Sequence, residues 1–189
     1  MPSQAITRPL DLPAKPLIGG SWTQRIAAVA IGSALLAIAA HVQVPFWPVR
    51  LSMQSFVVLA IGLACGGRLG AATVLAYIAE GACGLPVFQG GAGLAYMAGP
   101  TGGYLLGYVL AAWTVGTMAD RGATRSWIGT VAVLSLGEVL IYAPGVAWLA
   151  VLFGPAKSLG FGLLPFLPAE AVKLALATAA SPLLRRPAR

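Results

Sequence analysis

Long apolar runs, separated by short polar breaks or by breaks rich in glycine and proline, set the pattern of this chain. Runs over 22–42, 51–65, 69–83, 102–119, 127–142 and 169–184 predict six membrane-spanning helices, since about 20 apolar residues cross a hydrocarbon layer about 30 Å thick. The segment 146–167 carries Gly154-Pro155 and Pro165 and runs into Pro168. It predicts short helices at the outer surface rather than a seventh span. The stretch from Gly81 to Ala119 has no charge, and its middle is broken by Gly84-Leu-Pro-Val-Phe88, Gly90-Gly91-Ala-Gly93 and Pro100-Thr-Gly-Gly-Tyr104. That much glycine and proline excludes one continuous helix. Irregular apolar backbone at membrane depth is tolerated where it is buried in protein or lines a cavity. A binding site is therefore expected there, with 85–99 as a mobile lid whose glycines allow hinge motion.

Composition agrees. The chain is 58% hydrophobic and 9% charged, with a mean hydropathy of +0.84, against about 25% charged in soluble domains. An all-α integral membrane protein follows, with residues 1–20 as a cytoplasmic tail and 21–189 as a single six-helix domain. No secretory signal is expected. The net charge of +7 raises nucleic-acid binding as an alternative, but the basic residues form no patch. Arg8, Lys15, Arg25, Arg68, Arg121, Arg125, Arg185, Arg186 and Arg189 fall in the tail, in alternate connections and at the far end, which leaves Arg50, Lys157 and Lys173 elsewhere. This asymmetry predicts a topology with both termini inside and no nucleic-acid partner.

Catalytic machinery is sparse. His41 stands at the outer end of the first span, where an interfacial side chain is the expectation. Cys65 and Cys83 lack metal-site spacing, so no metal is expected and small apolar roles are. Gly154-Pro-Ala-Lys-Ser158 lacks the glycines of a phosphate-binding loop, so the chain is expected to bind no nucleotide. Glycines at four-residue spacing, Gly62/Gly66/Gly70 and Gly99/Gly103/Gly107, predict close helix approach. Charges at membrane depth are costly and call for partners; here they are Glu80, Glu138 and the pair Glu170 and Lys173. The last two stand at i and i+3 on one helix face, which allows either a structural ion pair or a pair presented to a polar ligand. Gln54, just inside the second span, offers both a donor and an acceptor.

Pro45-Phe-Trp-Pro-Val49, Leu51-Ser-Met-Gln-Ser-Phe56, Gly84-Leu-Pro-Val-Phe88, Gly99-Pro-Thr-Gly-Gly-Tyr-Leu-Leu-Gly-Tyr108 and Leu164-Pro-Phe-Leu-Pro168 leading to Glu170-x-x-Lys173 resemble the BioY biotin-uptake family, from about Trp22 to Leu184. The resemblance implies the substrate-binding component of an energy-coupling-factor (ECF) transporter: six helices in the cytoplasmic membrane with an outward-facing pocket for biotin. Such a component binds its vitamin as transported ligand, has no cofactor and is no enzyme. It works with a transmembrane coupling protein and two cytoplasmic ATPases, with membrane lipid around it and self-association as an open alternative. The family's last helix usually begins with Asp-x-x-Lys; here the acid is Glu170, one methylene longer. Lys173, Glu170, Gln54, Tyr104, Phe88, Tyr96 and Trp47 are the ligand-contact residues implied, with Glu170 and Gln54 toward the urea N–H groups, Lys173 toward the urea carbonyl or the carboxylate, and the aromatic rings as cover. Ala30 and Ala34 on the first helix match the family's small-residue coupling surface. A component for another vitamin, or an intramembrane enzyme using Glu80, Glu138 or His41, are the other readings.

Overall fold

The computed structural model describes residues 21–45 and 47–184; the expected tail, 1–20, lies outside them. Helix α1 (Trp22–His41) begins at a capping box. The Ser21 hydroxyl accepts from the Gln24 amide and the Gln24 side chain accepts from the Ser21 amide, so two otherwise orphaned donors are satisfied. A small antiparallel hairpin follows, β1 (Gln43–Val44) with β2 (Leu51–Ser52), pairing Gln43 with Ser52. Then come α2 (Gln54–Cys65), α3 (Gly67–Ala82), α4 (Gly93–Met97), α5 (Gly102–Asp120), α6 (Trp127–Phe153), α7 (Pro155–Gly162) and α8 (Leu167–Leu184).

Among the described residues six helices have 12 residues or more, while α4 and α7 are short pieces within connections. The hairpin, the loop carrying α4 and the segment carrying α7 gather at one end of the bundle. The opposite end is closed tightly. Gly66, at φ +75°, joins α2 to α3, and the Asp120 carboxylate at the end of α5 accepts from the first amide of α3, Gly67 N, at 3.1 Å. A negative group there also complements the α3 dipole. Helices α1, α6 and α8 are long and apolar enough to cross a membrane by length and composition. Helix α2, with 12 residues, is only about 18 Å long.

Helix α5 packs against α2, α3 and α6, and glycine makes this possible. A Cβ on Gly62 would meet the Ala112 carbonyl at 3.1 Å, one on Gly103 the Pro144 carbonyl at 2.4 Å, and one on Gly107 the Ile141 carbonyl at 2.6 Å. The four-residue spacing thus does mark close approach at Gly62, Gly70, Gly103 and Gly107. Gly99 belongs instead to the loop, where its carbonyl accepts from the Trp148 indole at 2.9 Å.

Two boundaries differ from the sequence reading. The second helix starts at Gln54 rather than 51, because Leu51 and Ser52 are taken up in the hairpin. The fifth long helix does not stop at Tyr142; it runs through Pro144 to Phe153 and ends at Gly154, φ +85°. A proline costs one amide donor, and tight packing elsewhere on the helix can hold it together across that gap. Only 155–162 of the expected outer segment forms a separate helix, of 8 residues. Cys83 is exposed rather than buried.

Replacing Gly107 with Ala should lower the unfolding temperature in detergent, since the neighbours are backbone atoms that cannot retreat; overpacking of this kind costs about 1–3 kcal/mol. Gly160→Ala, with nothing within 4 Å of the added methyl, is the matched control and should be neutral.

Candidate ligand-binding site

The site lies at the end of the bundle where the irregular connections meet. The hairpin contributes Val49, Arg50 and Ser52, the first turn of α2 Gln54 and Ser55, and α3 Tyr77. The loop after α3 covers it with Phe88, Gln89, Tyr96 and Thr101, while α5, α6 and α8 supply Tyr104, Tyr108, Tyr142 and Glu170. The cavity is about 30 Å³, room for one or two waters. Pockets that hold small organic ligands are larger, about 300–1,000 Å³.

Two polar networks line the cavity. In the first, Glu170 and Lys173 are 7% and 6% exposed and 2.7 Å apart. The carboxylate also accepts from the Tyr142 hydroxyl at 2.9 Å and the Ser55 hydroxyl at 2.8 Å. The ammonium donates further to Ser55 Oγ at 3.1 Å and to the Ser52 carbonyl. All three of its hydrogens are used, and it stands behind Glu170 rather than among the residues that line the cavity.

In the second network Gln54 donates to the Tyr77 hydroxyl at 2.8 Å, and Tyr77 donates to the Val87 carbonyl at 3.0 Å. The Gln89 amide donates to Gln54 Oε1 at 3.0 Å and to Ser52 Oγ. Ser52 therefore touches both networks, one through its carbonyl and the other through its hydroxyl. Gln89 Oε1 is buried with no donor among the described residues.

The loop is held down by its backbone and by aromatic packing. The Gln89 carbonyl accepts from Arg50 Nη1 at 2.7 Å and Gln43 Nε2 at 3.1 Å. Phe88, 1% exposed, meets Tyr77 edge-on at 5.5 Å and stacks on Tyr96 at 4.8 Å. Its ring fills the place where any side chain at position 81 would stand. Burial raises the Tyr96 phenol above its ordinary range, so it remains a neutral group.

A profile described as the BioY family matches residues 7–189. The chain belongs to the BioY family. A relative from Pyrococcus horikoshii named "Probable biotin transporter BioY" is 36% identical over 155 residues, covering 82% of this chain and 91% of the relative. "Biotin transporter BioY" from Thermotoga maritima is 35% identical over 151 residues, with 78% and 87% covered. Among solved structures, the S-component for biotin from an ECF-type ABC transporter superposes with a TM-score of 0.74 at 24% identity, over 86% of this chain and 93% of that one. That likeness establishes a shared fold.

Of the residues implied by the BioY motifs, the structure brings Gln54, Phe88, Tyr96, Tyr104 and Glu170 to the cavity wall and sets Lys173 directly behind. Tyr104 offers only its ring, because its hydroxyl donates to the Gly162 carbonyl at 2.7 Å. Trp47 does not reach the cavity. It is 69% exposed and packs edge-on to Phe153 and Phe161 at 5.8 and 5.6 Å, because the hairpin turn swings it outward over α6 and α7 while Val49 and Arg50 face inward. Ser52, Ser55, Gln89, Arg50 and Tyr142 escaped the sequence reading. Arg50, a charge standing alone in an apolar stretch, was the one signal available for them.

His41 holds the Ala37 carbonyl at 2.8 Å on the exposed end of α1. The Ser33 hydroxyl donates to Glu80 between α1 and α3. Neither group lines the cavity.

Arg50→Gln should loosen the roof. A hydrogen bond to a charged group is worth about 1.5–3 kcal/mol, so amide exchange across 85–99 should speed up roughly tenfold or more, measured by mass spectrometry on the detergent-solubilised protein. Unchanged exchange would show that aromatic packing alone holds the loop.

Proposed function

We propose that this chain is the biotin-binding component of an ECF transporter in the cytoplasmic membrane. Its six long helices would all span, with both termini inside and the cavity end facing out. The observation that carries this reading is the buried Glu170–Lys173 pair at the wall of a cavity roofed by the Gly84–Phe88 motif, in a member of a family whose relatives are named biotin transporters.

The cavity chemistry suits a urea fused to a thioether ring with an acidic tail. Glu170, Gln54 and Gln89 Oε1, which has no donor among the described residues, are acceptors for the two urea N–H groups, the Gln54 amide meets the urea carbonyl, and Lys173 holds Glu170 in place from behind the wall. Phe88, Tyr96, Tyr104 and Tyr108 supply the ring walls, and Arg50 at the mouth meets the carboxylate. Entry requires the roof over 85–99 to lift, so that binding is a closing step.

Energy comes from partner ATPases through the transmembrane coupling protein. Ala30 and Ala34 stand on the outward face of α1 beside Ile26, Ile31, Leu35 and Ile38, all exposed. That face suits a neighbouring helix in the membrane, since small residues let backbones approach. The six-span topology predicts that single cysteines at Ala123 and Ala188, in a background without Cys65 and Cys83, label only from the cytoplasm and one at Gly91 only from outside.

Equilibrium titration of the purified chain with labelled biotin, with riboflavin and thiamine as competitors, tests the ligand. Biotin should bind and the other two should not displace it, with no ATP hydrolysis by the chain alone. Lys173→Ala strips Glu170 of its charge-assisted hydrogen bond and should weaken binding about ten- to a hundredfold. Glu170→Gln keeps an acceptor and should cost less than Glu170→Ala. If the variants only lose thermal stability while the folded fraction binds biotin normally, the pair is structural and the ligand sits elsewhere.

A further inference from the structure

The network that joins Gln54, Tyr77 and Gln89 has a direction, and one backbone atom decides which way it runs. The Val87 carbonyl can only accept, so the Tyr77 hydroxyl gives it its single hydrogen at 3.0 Å. Toward Gln54 the same hydroxyl is left as an acceptor. That sets the Gln54 nitrogen against it at 2.8 Å and turns Gln54 Oε1 toward Gln89. Gln89 stands 3.0 Å from that oxygen and must meet it with its own nitrogen, whose other hydrogen goes to Ser52 Oγ. Only Oε1 of the Gln89 side chain remains. It is buried, receives no donor among the described residues and belongs to a side chain that lines the cavity.

Turning both amides over would exchange this acceptor for a donor. Ser52 does not forbid the turn: its hydroxyl accepts from the Gln54 backbone amide at 3.3 Å in either arrangement, and its hydrogen rotates to suit. Tyr77 does forbid it. With Gln54 reversed, the Tyr77 hydroxyl would face two acceptors with one hydrogen, and one buried acceptor would go without. The relay starts and ends on the loop, at Val87 and Gln89, and crosses α3 and α2 in between.

We infer that Tyr77 is a positioning residue that acts through Gln54 to hold Gln89 Oε1 as an acceptor, so that this side of the cavity takes only a ligand with an N–H or O–H donor there. The ligand class rests on the biotin reading, in which the donor is one ureido N–H. A ligand with a ring oxygen in that place is disfavoured, because two acceptors would then face each other.

Equilibrium titration of the purified chain in detergent tests this with biotin and with two cyclic carbamates, in each of which one ureido N–H is replaced by oxygen. The replacement hardly changes the size of the ring and turns a donor into an acceptor. Wild type should bind the isomer with oxygen toward Gln89 more weakly than biotin. In Tyr77→Phe, which keeps the ring that packs on Phe88, biotin's lead over that isomer should shrink about tenfold or more. Its lead over the other isomer should hold. Gln89→Met removes the acceptor itself and should shrink the same lead. If Tyr77 only supports the fold, Tyr77→Phe will lower the unfolding temperature and all three affinities together while the ratios stay fixed, which overturns the inference. Equal wild-type affinity for biotin and both carbamates overturns it too. Should Tyr77→Phe not fold, Gln54→Met cuts the same relay one residue further on, and an unchanged ratio there decides against the inference. Wild type that binds no biotin removes the biotin reading itself and the urea assignment with it, whereas ratios equal in all variants remove only the role of the relay.

Discussion

An ion pair, Glu170 and Lys173, lies with 2.7 Å between its atoms and almost no exposure in a chain only 9% charged. Burying each ion costs several kcal/mol even after relaxation, and their mutual attraction offsets this only when the remaining hydrogen-bonding capacity is filled. Three separate elements fill it here: β2 through the Ser52 carbonyl, α2 through Ser55 and α6 through Tyr142. The placement of the hairpin and of the upper ends of α2, α6 and α8 is therefore one problem with a common solution. A shift of any of these elements by the length of a hydrogen bond leaves a charge uncompensated.

The glycines on the α5 interfaces serve that solution from a distance. Gly103 and Gly107 let α5 approach the backbone of α6 near Ile141 and Pro144. This closeness brings Tyr104 edge-on to Tyr142 at 5.7 Å and holds the Tyr142 hydroxyl over Glu170. Gly145 works from the other side, since a side chain there would occupy the Tyr104 ring. Small residues in one layer thus fix the reach of polar groups in the next.

Features that depend on local periodicity or charge were legible in the sequence. Residues three apart on a helix must share a face, so Glu170 and Lys173 could be paired without coordinates, and glycine at four-residue spacing announced close helix approach. The broken apolar stretch after α3 announced a covered site. What escaped depended on direction in space. Trp47 and Arg50 sit in the same short turn, and only the path of the hairpin decides that Arg50 faces the cavity while Trp47 packs against Phe153 and Phe161. The fifth span was expected to stop at Tyr142, whereas α6 runs on through Pro144 to Phe153, carried by packing that no local pattern shows. Gln89 has no neighbour in sequence to mark it; its side-chain partners, Gln54 and Ser52, are 35 and 37 residues away.

The roof is fastened at position 89 through a carbonyl, which every amino acid possesses, while the side chain of that residue reaches into the cavity and meets Gln54 and Ser52. Fastening of the loop and lining of the cavity are thereby assigned to different atoms of a single residue. Substitution at this position changes the polar character of the interior while the clasp from Arg50 and Gln43, made to the backbone, stays in place. The chemistry of the cavity is thus free to vary at position 89 without unfastening the segment above it.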